Sequence, residues 1–104
     1  MPLNNADRAA IEAVLTRQSA AWEAGNAGAF AADAQEGVLF TNVVGMFSIG
    51  RAPFIAQHEH IFSTIYKGSR MEQEIVAITL VRPDVAIVDA LTKGCGCATP
   101  SPRR

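Results

Sequence analysis

Between Asp7 and Ala24 the chain carries neither Gly nor Pro, and Ile11, Val14, Leu15, Gln18 and Trp22 recur at the spacing that lines one helical face. The pattern predicts a long first helix, with Asn5 or Asp7 as its N-cap and Gly25 as the left-handed residue that ends it. Asn26 then caps a short second helix to about Asp33, in which Phe30 is the one large apolar side chain. Gly37 to Gly45, rich in β-branched and aromatic residues between glycines, reads as a strand, and Met46 to Gly50 as a shorter returning one. After Arg51-Ala52-Pro53 the residues Phe54, Ile55, His58, Ile61, Phe62 and Ile65 return to helical spacing up to Gly68. Ser69 to Val81 and Val85 to Thr92 are strand-like on either side of an Arg82-Pro83-Asp84 turn, and are expected to pair antiparallel. The predicted order is ααββαββ, an α+β arrangement.

Both long strands carry apolar residues on each face: Ile75 and Ala77 alternate with Val76 and Ile78, and Ala86 and Val88 with Ile87. A sheet with one solvated face alternates more cleanly, so one face is expected to meet the helices and the other a second copy, in a homodimer through the outer sheet face. After Lys93 the sequence Gly-Cys-Gly-Cys-Ala-Thr-Pro-Ser-Pro-Arg-Arg has no periodicity and no large apolar side chain. The reading therefore divides the chain into a domain over residues 1–93 and a flexible tail over 94–104 that does not extend the last strand.

Composition narrows the function classes. At 104 residues the chain is a single unit, and 49% hydrophobic against 18% charged residues is enough to build a core. A formal net charge of −1 supplies no field to hold a polyphosphate, so nucleic acid is not an expected partner. Cys95 and Cys97, one residue apart, are too close for an unstrained disulfide and have no other thiol to pair with. No basic stretch leads into an apolar one at the N-terminus, and the apolar runs fall far short of the ~20 residues of a membrane span. A cytoplasmic protein without a membrane partner is expected.

Several phrases then carry a resemblance: Asp7-Arg8-Ala9-Ala10-Ile11, Ala21-Trp22-Glu23-Ala24-Gly25-Asn26, Phe40-Thr41-Asn42 with Gly50-Arg51 and Ile55, His58 with Ile61-Phe62, Tyr66-Lys67-Gly68-Ser69-Arg70, and Arg82-Pro83-Asp84-Val85-Ala86-Ile87-Val88. In this order, over residues 7–92, the chain resembles the SnoaL-like branch of the nuclear-transport-factor-2-like superfamily, and within it the SgcJ/EcaC-type proteins of secondary metabolism. The resemblance implies a cone-shaped fold, a curved antiparallel sheet wrapped around a long N-terminal helix and enclosing a pocket, usually in a homodimer. Family members continue into further strands where this chain has its Cys-Gly-Cys tail, so the expected cone lacks its final strands.

His58, on the apolar stripe of the third helix, is a candidate general acid or base near neutral pH; the plainer alternative is a buried histidine satisfied by a backbone carbonyl. Asp89 shares strand parity with Val85, Ile87 and Leu91, and on an apolar face its carboxyl would be raised by desolvation into the range of a second proton-transfer group. At an exposed edge it would instead meet water or an arginine. Asn42 can position a substrate oxygen or cap the turn toward Gly45, and Trp22, Phe40 and Phe62 can wall a pocket or fill a core. Tyr66 can polarise a carbonyl or anchor a helix end. His60 lies two residues from His58, on the other side of the helix, and the Cys95/Cys97 spacing suits a tetrahedral ion poorly, so no metal is expected. No glycine-rich phosphate loop, dinucleotide fingerprint or nucleophile elbow is present, and no cofactor is expected. The sequence thus points to a protein that binds a hydrophobic, polyketide-like small molecule. It would act as a cofactor-independent isomerase, cyclase or dehydratase through His58 and Asp89, or, alternatively, as a non-catalytic binding or dimerisation module, an inactive relic of the family.

Overall fold

The computed structural model describes residues 3–42 and 44–95; Val43 of the expected first strand and residues 96–104, with Cys97 and most of the expected tail, lie outside the described residues. Helix α1 runs over Asn5–Ala24. Its N-cap is Asn4, one residue before Asn5 and three before Asp7, the expected caps, because the Asn4 side chain accepts the Asp7 amide at 2.7 Å and so satisfies one of the first-turn donors. It ends as predicted at Gly25, whose φ of 67° lets its amide turn back to Trp22 while that of Asn26 reaches Ala21, the paired bonds of a Schellman cap. Helix α2 is a single turn, Ala27–Phe30, capped by Asn26 through the Ala29 amide. It lies beside α1, where Arg17 forks onto Asp33 with bonds of 2.9 and 3.0 Å.

Strands β1 (Leu39–Thr41) and β2 (Phe47–Ile49) form an antiparallel hairpin, shorter than the sequence pattern suggested. Asn42 cuts it short. Its Oδ1 accepts both the Val44 and the Met46 amides, at 3.0 and 2.9 Å, and so holds Val44 to Met46 back toward Asn42, with Gly45 at φ 85°. Helix α3 then spans Arg51–Ser63, entered through Gly50 at φ 105°. The Arg51 guanidinium reaches back to the Ala31 and Ala32 carbonyls and ties α3 to the end of α2.

The apolar stripe predicted α3 as far as Gly68, but the helix stops five residues earlier. There the Ser63 and Thr64 hydroxyls both donate to the His60 carbonyl, at 2.9 and 2.7 Å, and Thr64 leaves helical geometry. Ile65, counted in the helical stripe, is exposed, and Tyr66 sits in the turn that follows.

Strands β3 (Arg70–Arg82) and β4 (Val85–Cys95) form a second, long antiparallel hairpin, separate from the first among the described residues. β4 passes through Gly94 and pairs Cys95 with Arg70, so the strand overruns the boundary at residue 93 that composition suggested. Glycine weakens a strand without breaking its ladder, and β3 offers partners to the end. β3 carries two register shifts, at Ile75/Ala77 and Leu80/Arg82. The half-buried face of the hairpin, with Ile75, Ile78, Leu80, Ala86 and Val88, lies under α1. The opposite face leaves Val76, Val81, Ile87 and Leu91 exposed. The best-buried side chains are Ala21, Ala27, Ala31, Phe54, His58, Phe62, Ser69 and Met71, which gather where the three helices meet β1 and the start of β3.

Candidate functional site

The centre of that region is an imidazole. His58 is 4% exposed, and Phe54, one turn earlier on α3, holds it through a 2.8 Å bond between Nδ1 and its own carbonyl oxygen. A carbonyl can only accept, so Nδ1 carries the proton and Nε2 keeps its lone pair. Five aromatic rings surround it: Phe54 at 4.5 Å between centroids, Phe30 at 4.8 Å, Phe40 at 5.3 Å, Phe62 at 5.9 Å and Trp22 at 6.4 Å. Burial among these rings pushes the imidazole pKa below its ordinary value near 6.5, against the smaller upward pull of the Phe54 carbonyl. His58 is therefore neutral at pH 7, an acceptor and a base at Nε2.

Of the residues singled out in the sequence, Trp22, Phe40 and Phe62 converge on His58. Tyr66 reaches the cluster through Trp22, at 5.3 Å. The indole N–H of Trp22 donates to Ser69 Oγ at 2.9 Å, and that hydroxyl donates onward to the Tyr66 carbonyl at 2.7 Å, so the loop after α3 is fastened to α1. Asn42 is placed by the hairpin turn, where its amide oxygen already serves two backbone N–H groups. Its oxygen is the turn cap, which leaves the amide nitrogen as the group that could donate to a substrate oxygen.

Asp89 stands apart. It pairs with Ala77 on the exposed face of the β3–β4 hairpin, opposite in parity to the Val88 and Ala86 positions that α1 covers. Parity grouped it correctly with Val85, Ile87 and Leu91, but that face is the one open to water. His58 and Asp89 do not share a cavity.

Phe30 and Phe54 were not picked out by the sequence as parts of the site. Phe54 was signalled by its position four residues before His58, the helical spacing that brings a carbonyl under a ring. Two further polar atoms belong to this neighbourhood: Ser48 Oγ, on the residue paired with Phe40, and Gln57 Oε1, beside His58 on α3. Both are buried and have no hydrogen-bond partner among the described residues. Two open clefts, of about 260 and 510 Å³, lie elsewhere, between α1 and the β3–β4 hairpin, lined by residues such as Ile11, Leu80 and Val88 in one and Leu15, Met71 and Ile75 in the other. Neither is lined by His58. Among the described residues no three His, Cys, Asp or Glu side chains gather into a set that could hold a metal ion. None of the described helices is long and apolar enough to cross a membrane.

No protein-family model matches the chain, and no curated protein does. Solved structures match it well. A domain of unknown function with a cystatin-like fold from Nostoc punctiforme superposes with a TM-score of 0.84 and 27% identity, over 95% of this chain and 61% of that one. A protein named as a candidate scytalone dehydratase from Novosphingobium aromaticivorans gives 0.78 and 18% identity, over 93% of this chain and 65% of that one. An uncharacterized protein with a cystatin-like fold from Caulobacter vibrioides gives 0.72 and 27% identity, over 89% and 66%. These folds belong to the nuclear-transport-factor-2-like superfamily, and this chain has the same mixed α+β fold, with its long N-terminal helix and antiparallel strand pairs. The chain spans between three fifths and two thirds of the length of the structures it matches.

Proposed function

We propose that the chain is a SnoaL-like protein of the SgcJ/EcaC type that binds a hydrophobic, polyketide-like small molecule without a cofactor. Its chemistry is proton transfer through His58 alone. The observation that supports this reading is the state of that imidazole, tied at Nδ1, neutral, and set among five aromatic rings. Such a base takes a proton from the carbon beside a substrate carbonyl. It then returns the proton to another carbon, as an isomerase does, or to a departing hydroxyl, as a dehydratase does. The buried, unpartnered Ser48 and Gln57 oxygens are the proposed partners of a substrate hydroxyl. Asp89, on the exposed sheet face, takes no part in this scheme. A second copy is the proposed cover for that face.

Deuterium uptake by 2-tetralone, an apolar bicyclic ketone with an acidic C–H, tests the chemistry in D2O. The wild-type chain is expected to speed exchange about 10²-fold over the His58→Gln variant, the lower end of what a positioned base contributes. Equal rates in the two proteins overturn the proton-transfer reading. The second reading, a binding or dimerisation module without catalysis, is favoured by one observation: Asp89, the only other acid-base candidate, faces solvent. Retained binding of the ketone with no exchange above buffer selects it.

A further inference from the structure

The larger of the two clefts beside α1, of about 510 Å³, takes its strand lining from the first half of β3 and none from β4, so its walls are complete without anything that pairs with β4. His58 and its aromatic rings do not line it, and it stands apart from the proton-transfer proposal. On the helical side Arg8, Glu12, Leu15, Thr16 and Ser19 recur at helical spacing along one face of α1. On the strand side Met71, Gln73 and Ile75 alternate, with the exposed Glu72 among them. Leu15, Met71 and Ile75 supply apolar surface, and the polar groups beside them are oxygens with lone pairs to offer. Gln73 Nε2 donates to Gln18 Oε1 at 3.1 Å, which fixes the Gln73 amide and leaves its own Oε1 as an acceptor. The Thr16 and Ser19 hydroxyls make no hydrogen bond among the described residues, whereas Ser63 and Thr64 of α3 turn theirs back onto a helix carbonyl. Arg8 is held by Glu12 at 3.3 Å, one turn on. Glu72 lies opposite Lys93 in the hairpin yet makes no ion pair among the described residues, so the cleft carries one carboxylate without a counter-charge.

We propose that this cleft binds a primary amine carried on an apolar body, with the ammonium on Glu72 and the free oxygens of Gln73, Thr16 and Ser19, and the apolar body on Leu15, Met71 and Ile75. An ammonium has three N–H donors and no acceptor, which matches a lining whose unspent groups accept. The other ligand classes fit worse. A carboxylate or phosphate would face Glu12 and Glu72 with a single cation nearby, Arg8, whose charge is already engaged. A hydrocarbon would cover the Gln73, Thr16 and Ser19 oxygens without giving them a partner, at the cost of their hydration. An alcohol gives one donor where the amine gives three and leaves the Glu72 charge unmet.

Amide chemical-shift titration of the full chain with hexylamine, hexanol and hexanoate at pH 7 tests it, since the three share one apolar body and differ in the head group. Hexylamine is expected to give saturable shifts at residues 12–19 and 71–75, the two walls of the cleft. Hexanol is expected to bind about tenfold more weakly there, and hexanoate not to saturate. Glu72→Gln keeps the size of an exposed side chain and removes its charge, and circular dichroism checks that the variant folds. It should weaken hexylamine by about tenfold and leave hexanol unchanged. Ser19→Ala should weaken hexylamine by a smaller factor through the lost acceptor. The proposal is overturned if hexylamine gives no saturable shift, if hexanoate binds as tightly as hexylamine, if the shifts fall around Phe54 to Phe62 instead of the cleft walls, or if Glu72→Gln binds hexylamine as the wild type does.

Discussion

Truncating Trp22 to alanine removes the side chain on which three elements depend. Its ring packs at 4.9 Å from Phe62, 5.3 Å from Tyr66 and 5.7 Å from Phe30, and its N–H holds Ser69, which is 1% exposed. A fully buried indole at about 150 to 250 Å² and roughly 25 cal/mol per Å² is worth about 4 to 6 kcal/mol. Trp22 is mostly but not fully buried, so a loss of about 3 to 4 kcal/mol is expected, within the usual range for truncating a large aromatic. Urea unfolding followed by far-UV circular dichroism reads it, because Trp22 is the one tryptophan and its fluorescence is lost with it. Trp22→Phe separates packing from hydrogen bonding. It keeps an aromatic ring beside Phe62 and drops only the bond to Ser69, for about 1 to 2 kcal/mol, and Ser69→Ala should then cost less in that background than in the wild type. A loss below about 1 kcal/mol for Trp22→Ala would refute the account of the aromatic cluster as the core.

His58 makes stability depend on pH with a defined sign. Its folded pKa lies below the ordinary 6.5, so the unfolded chain binds the proton more readily; stability is fully present above about pH 6.5 and is lost as pH falls through the folded value. The urea midpoint should drop on acidification through this window in the wild type and stay flatter in His58→Phe. Asp33, held below the usual carboxylate range by its bond to Arg17, acts at lower pH and leaves the window to His58. Asn42→Ala should cost about 0.5 to 1.5 kcal/mol and speed amide exchange at Val44 and Met46, while Asn42→Asp, which keeps the acceptor, should restore protection. Arg51→Ala, which frees the Ala31 and Ala32 carbonyls, should cost about 1.5 to 3 kcal/mol in the same assay.

The elements whose ends are fixed by their own side chains were legible in the sequence. Gly25 and Asn26 ended α1 and capped α2 where expected, because a left-handed glycine and an Asx cap act on residues within one turn. The ends that misled were those where several local signals compete. The apolar stripe of α3 continued to Ile65, yet hydroxyls at Ser63 and Thr64 took the His60 carbonyl and stopped the helix. Gly94 looked like the end of β4, yet pairing to Met71 carried the strand past it. Periodicity records what a segment is able to bury, and tertiary partners decide how much of it is used.

The site shows the same division. His58, Trp22, Phe40 and Phe62 were found because helical and strand spacing put them on apolar faces, and apolar faces meet. Asp89 was grouped with the right neighbours, but strand parity does not say which face a helix will cover. The register shifts on β3 add a second reason. Between Ile75 and Ala77 one residue is inserted, so Ile75 and Ile78, of opposite parity in sequence, both turn toward α1 while Val76 is left outside. Part of the two-faced apolar pattern that suggested a covered outer face is therefore one face read across a bulge. What the bulge does not explain is β4, regular throughout, where Ile87 and Leu91 remain exposed at 54% and 65% on either side of Asp89. The proposal that a second copy covers this face rests on that strand.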